Sequence, residues 1–165
     1  MPTTKFQKVV FAFITVVITV HCFVFYNLAI EMGGMSNQVF IESRKVIGIE
    51  FLFAFLLEIL IVGPLAEKMA FRIINPRDEK PYIITTAIIC STVVLMCPMM
   101  SFIATILYNG ISTEFIAQWM QKIVFNFPFA LLTQLFFIQP FVRFLFGAIF
   151  REKTKEASEF NLESN

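Results

Sequence analysis

Residues 46–65 read VIGIEFLFAFLLEILIVGPL, a run of 20 residues in which Glu50 and Glu58 carry the only charges. A helix needs about 20 mostly apolar residues to cross a bilayer, because the hydrocarbon core is about 30 Å thick and the rise is about 1.5 Å per residue. A strand would leave backbone groups without partners in lipid, and the run is about twice as long as a barrel strand. The stretch therefore predicts a transmembrane helix that carries two acidic side chains.

Three further stretches, 9–30, 82–108 and 123–142, are at least as long and contain no charged residue. The whole chain is 58% hydrophobic and only 15% charged, whereas about a quarter of the residues of a soluble domain are charged. This composition excludes an ordinary soluble protein. We expect an all-α membrane protein with four transmembrane helices.

The chemistry available to the chain is limited. A net charge of +1 gives no basic face for nucleic acid, and one His with three Cys offers neither a C-x-x-C motif nor a His pair. No phosphate-binding loop or Ser-His-Asp set is present either. We therefore expect no nucleic-acid partner, no enzymatic activity, no cofactor and no metal site.

The positions of Lys and Arg predict the orientation of the chain. Ten of the 13 basic residues precede the first stretch, lie between the second and third, or follow the fourth, and the other three are Arg44, Lys45 and Lys122. Basic residues concentrate on the cytoplasmic side of membrane proteins. We expect a multi-pass protein of the plasma (inner) membrane with both termini in the cytoplasm.

The chain also contains an internal repeat. A shift of 76 residues aligns Gly34 with Gly110 and Pro64 with Pro140 without a gap, and nine pairs are identical between Gly34 and Ile74. Each unit reads as a span, a Gly turn, a Ser in the N-cap position, a second span and a Pro near its exit. Two tandem helical hairpins of the same orientation are predicted, related by a pseudo-twofold axis along the membrane normal.

The repeat defines the expected boundaries. Residues 1–8 form the cytoplasmic N-terminus, 9–75 the first unit, 76–81 a linker and 82–150 the second unit. Residues 151–165 are polar and mixed in charge, so we expect a disordered cytoplasmic tail.

Polar residues inside the spans are the candidate functional groups, because they are costly in lipid. Depth along the helices places them in two layers. The middle layer contains His21, Glu58, Cys97 and Gln134, and the layer nearer the outer face contains Asn27, Glu50, Ser101, Thr105 and Asn126. The repeat aligns Glu50 with Asn126 and Glu58 with Gln134.

Two interpretations of Glu58 are open. If His21 lies across from it, the pair would form a proton-coupled or cation-binding site. Alternatively, Glu58 is neutral and acts as a hydrogen-bonding strut between helices. Glu50 either faces the interior with Glu58 or extends its carboxylate outward to water.

The third span has features of close packing. Cys97, Ser101 and Thr105 recur every four residues, which is the small-residue stripe along which membrane helices approach each other. Pro98 removes a backbone donor and is expected to kink the helix. The two alternatives for the freed carbonyl are an ion or hinge site and satisfaction by a neighbouring side chain.

Several motifs together resemble a known family. They are Asn109-Gly110, Trp119, Asn126-Phe127-Pro128, Gln134, Pro140 with Arg143, Gly63-Pro64-Leu65-Ala66, Lys68, Ala70-Phe71-Arg72 and residues 96–101, MCPMMS. This set resembles the small bacterial membrane proteins of the domain of unknown function 2798 family, over nearly the whole chain up to about residue 150. The resemblance implies a bacterial inner-membrane protein with paired repeats, and no particular activity. The architecture is also similar to that of tandem two-span efflux proteins of proteobacteria, but the first span here lacks their acidic residue.

Two functions are compatible with these observations. One is transport of a small solute or ion, indicated by the repeat, the intramembrane acids and Pro98. The other is a non-catalytic structural or partner-binding role, indicated by the lack of a catalytic set and by the Phe-rich surface. The expected partners are the lipid bilayer and either a second copy of the chain or another membrane protein.

Overall fold

The computed structural model describes residues 5–75 and 79–149, and in these residues it contains helices and no strand. Four helices are long and apolar enough to cross a membrane: the first span Lys5–Glu31, the second Asn37–Ile73, the third Pro81–Asn109 and the fourth Phe115–Ile149. The predicted fold class is confirmed. The predicted disordered tail, 151–165, lies outside the described residues.

Two short connections, 32–36 and 110–114, lie at the same end of the bundle, which we call the turn side. Gly33 and Gly110 adopt φ of +73° and +70°, a left-handed conformation that favours glycine. Ser36 occupies the N-cap position of the second span with extended backbone angles. The corresponding prediction for Ser112 is wrong, because a turn at 113–114 comes before the helix and Glu114 is its N-cap.

Both long helices contain one turn of π-helix, at Glu58–Val62 in the second span and at Gln134–Ile138 in the fourth. The N–H of Gly63 donates to the carbonyl of Glu58, and the N–H of Gln139 donates to that of Gln134, five residues back in each case. A proline follows each turn. Pro64 and Pro140 were predicted to lie near the exits of their spans, but the helices continue through them, because the wider turn accommodates the missing N–H and the ring.

The helices pack in a ring. The first span packs against the second, and the third against the fourth, within each hairpin. The segment Gly63–Ile73 of the second span packs against the third span, and the rings of Phe11 and Phe146 join the first span to the fourth at 5.5 Å. The two units therefore meet along two equivalent seams, as a pseudo-twofold arrangement requires.

Burial in the second and fourth spans follows the repeat. Five of the seven buried residues of the second span have buried counterparts 76 residues later in the fourth, whereas Val39 and Ser43 align with the partly buried Phe115 and Trp119. The pairs are Glu50 and Asn126, Ala54 and Ala130, Val62 and Ile138, Ala66 and Val142, Ala70 and Phe146.

The first and third spans repeat with a spacing of 77 residues instead. At this spacing, four buried residues of the first span align with four buried residues of the third. The pairs are Val16 and Val93, Val20 and Cys97, Val24 and Ser101, Leu28 and Thr105. These four first-span residues are apolar, whereas their third-span counterparts include a thiol and two hydroxyls. This difference positions the candidate site.

Candidate functional site

The polar layer predicted nearer the outer face lies in the interior of the bundle. All five of its members are buried: Asn27, Glu50, Ser101, Thr105 and Asn126. Glu50 is only 2% exposed, so the alternative in which its carboxylate extends to water is wrong. The carboxylate points inward because Glu50 continues the buried face of the second span formed by Val39, Ser43 and Ala54.

Glu50 is held by a tyrosine of the other unit. The Tyr108 hydroxyl donates a hydrogen bond to Oε1 of Glu50 at 2.5 Å. This hydrogen bond joins the second span to the third. The acid is therefore a contact between the two units.

Lys122 connects this pair to the turn side. Its Nζ lies 2.5 Å from Oε1 of Glu31 and 2.9 Å from Oδ1 of Asn109, and it stands 5.2 Å from the ring centre of Tyr108. We call Glu31, Glu50, Tyr108, Asn109 and Lys122 the turn-side cluster, and its members come from all four spans.

A second group of polar contacts lies beside the third-span stripe. Asn126 Nδ2 donates to Ser101 Oγ at 3.2 Å, and Ser101 Oγ is 4.0 Å from Cys97 Sγ. Asn126 is 3% exposed, and its Oδ1 is buried without a hydrogen-bond partner in the described part of the chain. A buried orphan acceptor is unfavourable. This site has capacity for one more donor or cation.

In the middle layer, the two repeat-related residues differ in their contacts. Gln134 Nε2 donates to Thr19 Oγ1 of the first span at 2.8 Å, which links the units. Glu58 is partly buried, and within residues 5–75 and 79–149 its carboxylate has no hydrogen bond or ion pair. Glu58 is thus an intramembrane acid without a polar partner at the first residue of a π turn.

The structure does not bring His21 to Glu58. His21 lies on an exposed face of the first span, where Nδ1 is 2.7 Å from the carbonyl oxygen of Val17, one turn back in the same helix. Depth alone suggested the pair, but the packing of Val20 and Val24 into the core turns His21 outward.

Tyr108 and Lys122 were not predicted as site residues. Tyr108 continues the helical stripe of Ser101 and Thr105, since it follows Thr105 by three residues, so the same periodicity could have found it. Lys122 had contributed only to the charge count. No sequence pattern indicated that its side chain reaches Glu31.

Pro98 and Trp119 form a further contact in the second unit. The helix continues through Pro98, and the indole Nε1 of Trp119 donates to the Pro98 carbonyl at 3.0 Å. Both residues line an apolar groove of about 270 Å³ with Leu57 and Phe102. This groove opens on the outside of the bundle and involves neither acid.

Comparison with known proteins supports this architecture. The chain is 28% identical over 160 residues to a protein called "Uncharacterized protein YybC" from Bacillus subtilis (strain 168), and the match covers 95% of this chain and 99% of that protein. No solved structure matches the chain. A family model described as a domain of unknown function, DUF2798, matches twice, at residues 4–74 and 79–150. The chain therefore belongs to the DUF2798 family and contains two tandem copies of its domain.

Proposed function

We propose that the protein is a non-enzymatic transport protein that moves a small cation or cationic solute across the bacterial inner membrane, with both termini in the cytoplasm. The observation that carries this proposal is Glu58, an intramembrane carboxylate without a polar partner among the described residues. A charged group at the centre of a membrane helix costs about 2.5 to 3.5 kcal/mol on insertion scales. A purely structural strut would be expected to engage a partner, as Gln134 does.

The position of Glu58 supports the same proposal. It lies two turns along the second span from Glu50, and residues eight apart on a helix are rotated by only about 80°. Both carboxylates therefore belong to one side of the helix. A cation that reached Glu50 would find Glu58 as the next acidic group on the way to the linker side, where residues 74–80 connect the units.

The π turns provide a mechanical basis for transport. Single π turns inside α-helices occur frequently at functional sites. Here they lie in both long helices at equivalent positions, where each helix passes from contacts with its own hairpin toward contacts with the other. Rocking of one unit against the other about these points would expose the acids alternately to the two sides.

The test is flux in proteoliposomes that contain the full-length protein. Uptake of sodium, potassium, protons and methylammonium is measured against protein-free liposomes, for the wild type and for Glu58→Gln. We expect flux of at least one of these cations and its loss in Glu58→Gln. Glu67→Gln is the matched control, because Glu67 lies on the same helix in an exposed ion pair with Lys8 and should leave flux intact. Flux that survives Glu58→Gln contradicts the proposal.

A second candidate, a structural or partner-binding membrane protein, is favoured by a different observation. The bonds of Tyr108 to Glu50, Asn126 to Ser101 and Gln134 to Thr19 join helices through side chains, as struts do. This candidate predicts no flux for any of the four cations and no effect of Glu58→Gln on the folded protein.

A further inference from the structure

The turn-side cluster surrounds an ammonium group. The Nζ of Lys122 has a carboxylate oxygen of Glu31, the amide oxygen of Asn109 and the face of the Tyr108 ring around it. These are the partners that a primary ammonium uses, namely anionic and carbonyl acceptors for its three donors and an aromatic ring for its charge. The structure thus contains the environment of an ammonium ligand, filled by a side chain of the protein.

Lys122 is unusually enclosed for a residue at the end of a bundle. Its side chain is 12% exposed, whereas that of Lys45, in an ion pair with Glu42 on the same turn side, is 68% exposed. Glu31 and Asn109 remain exposed to the surroundings. The cluster is therefore accessible from the turn side, and its cation is held inside.

The cluster contains more carboxyl groups than ammonium groups. Glu31 and Glu50 provide two carboxyl groups, and Lys122 is the one ammonium bonded to the cluster in the described chain. A solute with an ammonium group would supply positive charge and N–H donors to the acceptors of this cluster.

We propose that the turn-side cluster is the entry binding site for a small solute with a primary ammonium group, and that Lys122 occupies this site until the solute displaces it. This inference rests on the proposed function and names its substrate class. The ammonium of the solute replaces Nζ between Glu31, Asn109 and the Tyr108 ring. Displacement also weakens the contact between the first span and the fourth, because Glu31 and Lys122 belong to different units.

Chemical rescue tests this assignment. Full-length Lys122→Ala in phosphatidylcholine nanodiscs should have a lower melting temperature than the wild type. Methylammonium chloride should restore part of the loss, whereas sodium chloride at the same ionic strength should not, because sodium has no N–H donors. Tetramethylammonium, which retains the charge but has no N–H, should rescue less than methylammonium. Lys122→Met keeps the aliphatic stem and is used if Lys122→Ala does not fold.

Two controls make the result specific. Lys45→Ala removes an exposed lysine of the same side and should show no rescue by methylammonium. Glu31→Gln added to Lys122→Ala should abolish the rescue, since it removes the carboxylate that receives the ammonium.

In direct binding measurements, methylammonium should bind Lys122→Ala about tenfold more tightly than the wild type, a difference of about 1.4 kcal/mol, because no side chain must be displaced.

The proposal is overturned if methylammonium and sodium act equally on Lys122→Ala, or if tetramethylammonium or Lys45→Ala gives the same rescue. If methylammonium binds but no cation flux occurs in proteoliposomes, the proposed function is wrong and the binding site is supported. If other cations are transported but methylammonium does not bind, the proposed binding site is wrong and the proposed function is supported.

Discussion

Glu58 and Gln134 each begin a π turn at the same point of the two repeated units. The two turns share a backbone hydrogen bond from the residue five positions later and a proline one residue beyond it. The same π turn occurs in both units although their sequences differ at most other positions. We infer that it is a structural feature of the repeated unit. The two units differ in what they place there, a carboxylate in one and an amide in the other.

Gly63 provides a test of the first π turn. A Cβ at this position would lie 2.8 Å from the Glu58 carbonyl oxygen and 3.8 Å from its Oε1. We expect Gly63→Ala to lower the melting temperature, because a backbone atom must shift. Gly48→Ala in the same helix is the control, since a Cβ there has nothing within 4 Å and should be neutral or stabilising. Equal effects of the two substitutions would contradict this interpretation.

Tyr108→Phe should destabilise the protein by about 1 to 3 kcal/mol, because it leaves the buried Glu50 carboxyl group without its donor. The measurement is unfolding in bicelles with increasing dodecyl sulfate. Tyr82→Phe, at a position 74% exposed on the same helix, should change stability by less than about 0.5 kcal/mol. In a Glu50→Gln background the cost of Tyr108→Phe should fall, and full additivity would show that the two residues do not interact.

Thr19→Val removes the acceptor of Gln134 and should have a smaller effect. Hydrogen bonds between membrane helices contribute about 0.6 kcal/mol on average, and both partners here are neutral. The same unfolding assay measures the loss. Gln118→Leu is a useful comparison on the fourth span, because Gln118 Oε1 is buried without a partner in the described residues, so its removal should be neutral or stabilising. A loss for Thr19→Val as large as that for Tyr108→Phe would contradict the ranking.

The sequence was sufficient to predict the four spans, the internal repeat and the depth of the polar residues along the helices. Depth follows from counting residues along a helix, and the repeat correctly aligned Glu50 with Asn126 in one buried layer. Rotation about the helix axis does not follow from counting, because it is fixed by packing against neighbouring helices. For this reason His21 was placed near Glu58, whereas the structure turns it to an exposed face.

The contacts between long side chains of different spans could not be predicted from the sequence for a related reason. Glu31 and Lys122 are 91 residues apart, and each lies near a helix end where the sequence indicates an aqueous boundary. Their pairing depends on how closely the first and fourth spans approach, which is set by contacts such as the stacking of Tyr26 on Phe129. No local pattern contains that information.

The orientation of the protein gives the last prediction, which follows from the ten-to-three distribution of Lys and Arg. Cysteines are introduced singly at Asn37 and at Glu79, in a background that lacks Cys22, Cys90 and Cys97. Asn37 begins the second span on the turn side, and Glu79 lies in the connection at the other end of that span. Both residues are exposed, so burial does not limit the reaction at either. An impermeant maleimide added to intact cells should label the cysteine at Asn37 and leave that at Glu79 unlabelled until the membrane is permeabilised. The reverse pattern would place the turn-side cluster in the cytoplasm, and labelling of both would show that the chain inserts in two orientations.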